Sequence, residues 1–179
     1  RADHGHDGAR PWRGVKRDQW EGGHRVPFLV RWPARVKAGT TSAELTSLTD
    51  VMATLAAITG APLPREAAED SFNLLPALEG KATAPIRPYL LTQAFAGART
   101  LSIRRGQWKY LAHRGSGGNN YERGELQRFA LPDTAPAADA QLYDLATDPG
   151  ETKNLVLEKP DLRSEEHTSE LQSPMYLVC

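Results

Sequence analysis

One cysteine occurs among the 179 residues, and it is the last of them, Cys179. A lone thiol excludes a disulfide framework and a thiolate-bound metal. Long apolar runs are also missing: no stretch approaches the roughly 20 residues of a membrane-spanning helix. Charge of one sign is not in excess, with 22 Lys and Arg against 22 Asp and Glu. That balance argues against the broad basic surface with which proteins hold nucleic acids or anionic membranes, so neither is expected as a partner. There is no internal repeat. No Met or signal-like segment stands at the start, RADHGHDGAR, and the true N-terminus is expected to lie outside this chain. What is present suits a packed globular protein: 40% hydrophobic and 25% charged residues.

Residues 1–24 are polar and Gly-rich and read as loop. RVPFLVRWP follows and predicts a strand. Val26, Phe28, Val30 and Trp32 share one face, and Leu29 makes the other partly apolar, as in a sheet covered on both sides. SLTDVMATLAAITG predicts a helix, with Leu48, Val51, Met52, Leu55 and Ile58 at helical spacing on one face. Ser47 or Thr49 would cap it, and Gly60 with Pro62 would stop it. SFNLLPALEG predicts a further short helical turn closed by Gly80.

The second half has strand periodicity. PYLLTQAF predicts a strand, and residues 99–111 predict a hairpin turning at Gly106. Residues 114–139, rich in Gly, Pro and Asn, form a long excursion. QLYDLATDPGETKNLV predicts a strand, a turn and a helix start, and the strand around Leu142–Leu145 is expected to pair with the hairpin. The tail differs in kind. Arg163 to Ser173, RSEEHTSELQS, reads like a translated sequencing adapter, so residues 163–179 are expected to be a non-native tail outside the fold.

Three groups of residues could carry chemistry. Asp3 and His4 place an oxygen and a nitrogen donor side by side, which suits a cation and equally suits an exposed polar loop. Asp3, His4, His6 and Asp7 could instead form a zinc cluster, although no further ligand set is visible downstream. Lys16 lies five residues before Glu21 in a turn-rich loop; a lysine is a compact charge for an oxyanion such as sulfate or phosphate, or a solvated surface cation. Arg25 is expected to pair with a carboxylate such as Glu21. Trp108, Tyr110 and Tyr121 could form a sugar platform or simply belong to the core.

Taken in order, DHG, KRDQWEGGHRVPF, RWP, SLTDVMATLAAITGAPLP, WKYL and LYDLATDPGETKNL resemble the C-terminal third of the formylglycine-dependent, arylsulfatase-like sulfatases of the alkaline phosphatase superfamily. The resemblance runs from Asp3 to about Leu162. It implies an α/β fold: the C-terminal part of an alkaline-phosphatase-like sulfatase domain, followed by a small antiparallel sheet with a helix. On that basis residues 1–85 would end the large domain and 86–162 would form the small subdomain. It also implies a calcium or magnesium ion held partly by Asp3 and His4, and a sulfate contact by Lys16. The family's more common residue at position 4 is Asn, so His4 brings a nitrogen where a hard cation prefers oxygen. The formylglycine nucleophile arises from a CxPxR or SxPxR motif. None is present here: Ala61 precedes PLPR, and no nucleophile is assigned in this chain.

The expected function is therefore that of a sulfatase portion, inactive by itself, from an enzyme that hydrolyses sulfate esters of a small molecule or, more specifically, a carbohydrate. The resemblance further implies export to the periplasm or the outside of the cell. A phosphomonoester or phosphonate hydrolase of the same superfamily, and a non-catalytic carbohydrate-binding module, are the competing readings.

Overall fold

A computed structural model describes residues 8–64, 66–94 and 101–162. The described residues divide into two compact units, one between residues 27 and 90 and one of those before 27 and after 90.

In the 27–90 unit, helix α1 spans Asp50–Thr59 and the single turn α2 spans Leu75–Leu78. Gly60 ends α1 in the left-handed conformation, as its sequence position predicts. At its N-terminus Ser47 Oγ accepts the Thr49 N–H at 3.3 Å, one of the two caps expected, and the Asp50 carboxylate reaches back to accept the Ser47 N–H at 2.7 Å, the return half of a capping box. The same carboxylate accepts Phe72 N–H at 2.9 Å and pairs with Arg87 at 2.6 Å. Thr54 Oγ1 donates to Asp50 O and accepts Leu74 N–H, and Ser71 Oγ accepts Ala53 N–H. Buried polar bonds thus hold α1, while its apolar stripe faces outward: Met52 and Leu55 are 52% and 53% exposed.

The segment predicted as a strand covered on both faces, residues 25–33, is not one. No hydrogen-bonded strand forms there, and Val26, Phe28, Leu29 and Val30 are exposed, Leu29 at 89%. A strand needs a neighbour for its backbone groups and cover for its side chains, and the described residues supply neither.

The other unit is built on a four-stranded sheet in the order β1–β2–β3–β4: Leu90–Gln93, Leu101–Arg105, Trp108–Leu111 and Gln141–Asp144. Strands β2 and β3 form the predicted hairpin, antiparallel, with Ile103 opposite Tyr110 and Arg104 opposite Lys109. Strand β4 pairs antiparallel with β3, setting Leu142 opposite Tyr110 and Tyr143 opposite Lys109, as the alternation of LYDL and WKYL predicts. Because opposed residues share a face, Ile103, Tyr110 and Leu142 line one side and Arg104, Lys109, Leu111 and Tyr143 the other. On the second side Leu111, Tyr143 and Leu145 pack with Trp20, and Tyr121 lies against this cluster. The excursion between β3 and β4 is well tied rather than loose, and Asn154 bonds β4 from beyond the DPGE turn through Leu142 N–H and Ala140 O. Residues 163–179, and the part of the predicted hairpin before Leu101, lie outside the described residues.

Candidate functional site

The segment from Trp12 to Arg25 closes on itself. Gly22 N–H donates to Arg13 O at 2.7 Å, and inside this closure Asp18 N–H donates to Val15 O at 3.0 Å. Asp18 Oδ2 accepts the Val15 N–H in return, at 2.8 Å. Lys16 and Arg17 therefore stand at the tip of a turn whose two flanks bond each other. Arg17 takes φ 90°, unusual for a residue with a side chain. Lys16 is exposed, and among the described residues its ammonium meets no acceptor.

Behind this tip, backbone approaches backbone more closely than any side chain would allow. A Cβ on Gly23 would lie 2.0 Å from Asp18 O, which explains the need for glycine in EGG. Glu21 opens the 3₁₀ turn Glu21–Gly23 and is 1% exposed. Its carboxylate meets Arg25 Nε at 2.7 Å, Arg104 Nη1 at 2.8 Å and Lys109 Nζ at 3.0 Å. The pairing of Arg25 with Glu21 is the one expected from sequence. Glu151, from the DPGE turn, accepts Glu21 N–H at 2.6 Å through Oε2. Its Oε1 lies 3.2 Å from Lys109 Nζ, an ionic contact without hydrogen-bond geometry. The EGG, WKYL and DPGE blocks thus converge on one buried cluster.

Its electrostatics are asymmetric. Burial alone would push the Glu21 carboxyl up, but the His24 hydrogen bond and the Lys109 and Arg104 charges outweigh it and hold Glu21 well below the usual carboxylate range. For Glu151 burial wins over the attraction of Lys109, and its pKa is pushed up to about 7. Both carboxylates are closed off from solvent, and they tie the loop to β2, β3 and the DPGE turn, so the cluster is a brace for the loop.

A second loop grips the tip from the other side. Gln19 N–H donates to Ser116 O at 2.7 Å, and Ser116 Oγ accepts Gly118 N–H and Asn119 N–H. The Asn119 side-chain amide donates to Asp18 Oδ1 at 2.7 Å and to Lys16 O at 2.9 Å. Tyr121 OH donates to Asp18 Oδ2 at 2.5 Å. His113 Nε2 contacts Gln19 Oε1, and burial holds its imidazole pKa below the ordinary value against the carbonyl of Arg114. Residues 113–122 and Trp20 border a cavity of about 430 Å³, with His113, Ser116, Asn119 and Asn120 among its polar groups and Trp20 and Tyr121 as its aromatic ones.

Of the residues singled out from sequence, Lys16 is thus exposed at a braced tip. Asp3 and His4 lie outside the described residues, as do His6 and Asp7 of the zinc reading. Among the described residues no group of three or more His, Cys, Asp and Glu could hold a metal ion. The donor chemistry of Asp3 fits a hard cation; that of His4 fits it less well. The sugar platform of Trp108, Tyr110 and Tyr121 does not form. Tyr110 is buried on one face of the sheet, Trp108 carries Lys159 over its ring, and Tyr121 meets Trp20 edge-on at 5.2 Å on the opposite side. Sequence reasoning missed Asp18, Asn119 and Lys109. Lys109 had one available signal: in WKYL it falls on the face of β3 that also carries Leu111, so period 2 alone would bury it.

The sulfatase family model matches residues 2–61, which include the Lys16 loop, α1 and the segment between them. The N-acetylgalactosamine-6-O-sulfatase of Bacteroides thetaiotaomicron is 38% identical over 88% of this chain and 29% of its own length. The steryl-sulfatase of Mus musculus is 36% identical over 82% of this chain and 25% of its own length. A solved Bacteroides thetaiotaomicron structure, from work on the metabolism of multiple glycosaminoglycans, superposes with TM-score 0.69 at 37% identity, over 87% of this chain and 30% of that one. The chain thus spans between a quarter and a third of the length of these relatives. The motif blocks that converge on the Lys16 loop sit in the region these proteins share with it, and the chain belongs to the sulfatase family.

Proposed function

We propose that the protein of which this chain is part hydrolyses sulfate esters, and that Lys16 binds the sulfate. The observation that carries the reading is a contrast around one loop: the buried Glu21 carboxylate gathers Arg25, Arg104 and Lys109, while Lys16 is held by its backbone and its exposed ammonium meets no partner among the described residues. A lysine with no partner among the described residues, on a tip braced from both sides, is suited to a sulfate oxygen, which takes on more negative charge as the ester S–O bond breaks. Phosphate would meet the same cation; kinship with sulfatases favours sulfate.

Asp3 and His4 would contribute a carboxylate and an imidazole to a calcium or magnesium ion. When bound, that ion supplies positive charge that holds and polarises the ester. The chain carries no formylglycine precursor motif, so by itself it is expected to turn over no ester.

For the substrate we favour a sulfated carbohydrate. The similarity to an N-acetylgalactosamine-6-O-sulfatase supports this, and so does the cavity between residues 113 and 122. Sugars present C–H faces to aromatic rings and hydroxyls to amides, imidazoles and hydroxyls. A sterol would need a wide apolar wall, whereas Trp20 and Tyr121 are the large apolar groups in this lining. Export from the cytoplasm is part of the same reading. The test is hydrolysis by the full-length protein of N-acetylgalactosamine 6-sulfate, a steroid sulfate and the corresponding phosphate monoesters. Faster turnover of the sugar sulfate is expected. Preference for the steroid sulfate would refute the carbohydrate assignment, and preference for a phosphate would refute the sulfatase reading.

A further inference from the structure

The loop that borders the cavity also holds the backbone of Lys16, and one side chain does both. Asn119 lines the cavity, and its amide nitrogen donates to Lys16 O and Asp18 Oδ1. Its backbone N–H adds contacts to Asp18 Oδ1 at 3.2 Å and Ser116 Oγ at 2.8 Å. From the geometry we infer that Asn119 is a positioning residue for Lys16: it fixes the direction in which the lysine leaves the tip, and it links that direction to whatever occupies the cavity. The inference rests on the proposed role of Lys16.

Three features support it. Asp18, the hub of the turn, is 3% exposed and accepts from Val15, Asn119 and Tyr121, so Asn119 is held in turn by a buried acceptor. The Lys16 carbonyl lies at the apex, where no helix or strand hydrogen bond is available to fix it, and Asn119 supplies a fixed donor. The two loops also approach to backbone distance: a Cβ on Gly118 would lie 2.0 Å from Arg17 O. Gly118 therefore lets residue 119 come close enough for a side chain as short as asparagine to reach Lys16 O. Lysine has a long flexible stem, so the direction of its backbone is what a protein can fix most cheaply.

The test is a double-mutant cycle in the full-length protein on a sulfate ester, read as kcat/KM and as inhibition by inorganic sulfate. Asn119→Ala is expected to lower kcat/KM about tenfold and to weaken sulfate inhibition, an effect of the size that a small misplacement of a charge produces. In a Lys16→Ala background the same substitution should change both readouts by less than about twofold, because the residue it positions is gone. Thermal stability serves as the control: any loss from Asn119→Ala should be the same in both backgrounds. If Asn119→Ala does not accumulate folded, Asn119→Ser in the same cycle carries the test. Equal losses of kcat/KM in the two backgrounds would overturn the inference and leave the role of Lys16 intact. If Lys16→Ala itself leaves sulfate inhibition unchanged, the reading of Lys16 falls, and the inference falls with it.

Discussion

The two compact units solve the problem of burial in opposite ways. The sheet unit buries apolar side chains on both faces and adds a charged cluster, Glu21–Lys109–Glu151, in which cation and anions are both out of water. The 27–90 unit buries Asp50, Thr54 and Arg87 and leaves Phe28, Leu29, Met52 and Leu55 outside. A helix that turns its polar face inward and its apolar stripe outward is unusual. It shows that apolar periodicity identifies a helix without saying which part of the protein covers its apolar face.

The strongest way to break this comparison is to remove one charge from each buried pair. Lys109→Ala would leave Glu21 and Glu151 without their shared cation, and Asp50→Ala would strand Arg87 and the backbone N–H groups of Ser47 and Phe72. Each is expected to cost about 3–5 kcal/mol, because the remaining group keeps its desolvation penalty. Urea unfolding of the full-length protein checks the size. Hydrogen exchange checks the place: amides of β3 should lose protection in the first variant and those of α1 in the second. A loss below about 1 kcal/mol would mean that water reaches these groups.

The next effect depends on pH. Glu151 titrates near 7 in the folded protein, against an ordinary value of 4.5. Between those values the folded state keeps a proton that the unfolded chain has released, so this group makes stability fall as pH rises through that window. Glu21, with its depressed pKa, acts the other way: its contribution is present above 4.5 and is lost as pH falls further. Glu151→Gln retains an acceptor for Glu21 N–H and removes the titration. Relative to wild type, the variant should gain on the order of 3 kcal/mol between pH 5 and pH 8. Urea midpoints at the two pH values check this, and parallel curves for the two proteins would contradict it.

A smaller effect sharpens the contrast of faces. In the chain as it stands, Leu55→Ser should alter stability by no more than about 0.5 kcal/mol, since Leu55 is exposed, while Ile103→Ala in the sheet should cost about 2–5 kcal/mol. Thermal unfolding of both variants tests the pair. A cost above about 1 kcal/mol for Leu55→Ser would mean that the outward stripe of α1 is covered.

These contrasts also mark what was legible in the residues. The hairpin and its partner β4 could be read because LSIRR, WKYL and QLYD alternate, and alternation fixes both the element and its face. Helix α1 could be read from its 3.6-residue period, but its buried face could not, because Asp50, Thr54 and Ser71 form their lattice through contacts distant in sequence. The strand at 25–33 was expected because its composition is that of a covered strand; it is absent because strand structure requires a neighbour. At the site, Lys16 and the Glu21–Arg25 pair are visible as spacing within one loop. Asp18 and Asn119 are about a hundred residues apart, and only the fold brings them together.

The central claim is that a braced loop presents Lys16 to sulfate, so that stability and activity can be separated at this residue. The most direct measurement is kcat/KM of full-length Lys16→Ala on a sulfate ester, alongside its thermal unfolding. An unchanged unfolding temperature is expected, since the Lys16 side chain is exposed and its carbonyl is what Asn119 holds, with kcat/KM lower by about a hundredfold or more. An unchanged kcat/KM, or a loss of activity explained by unfolding, would contradict it.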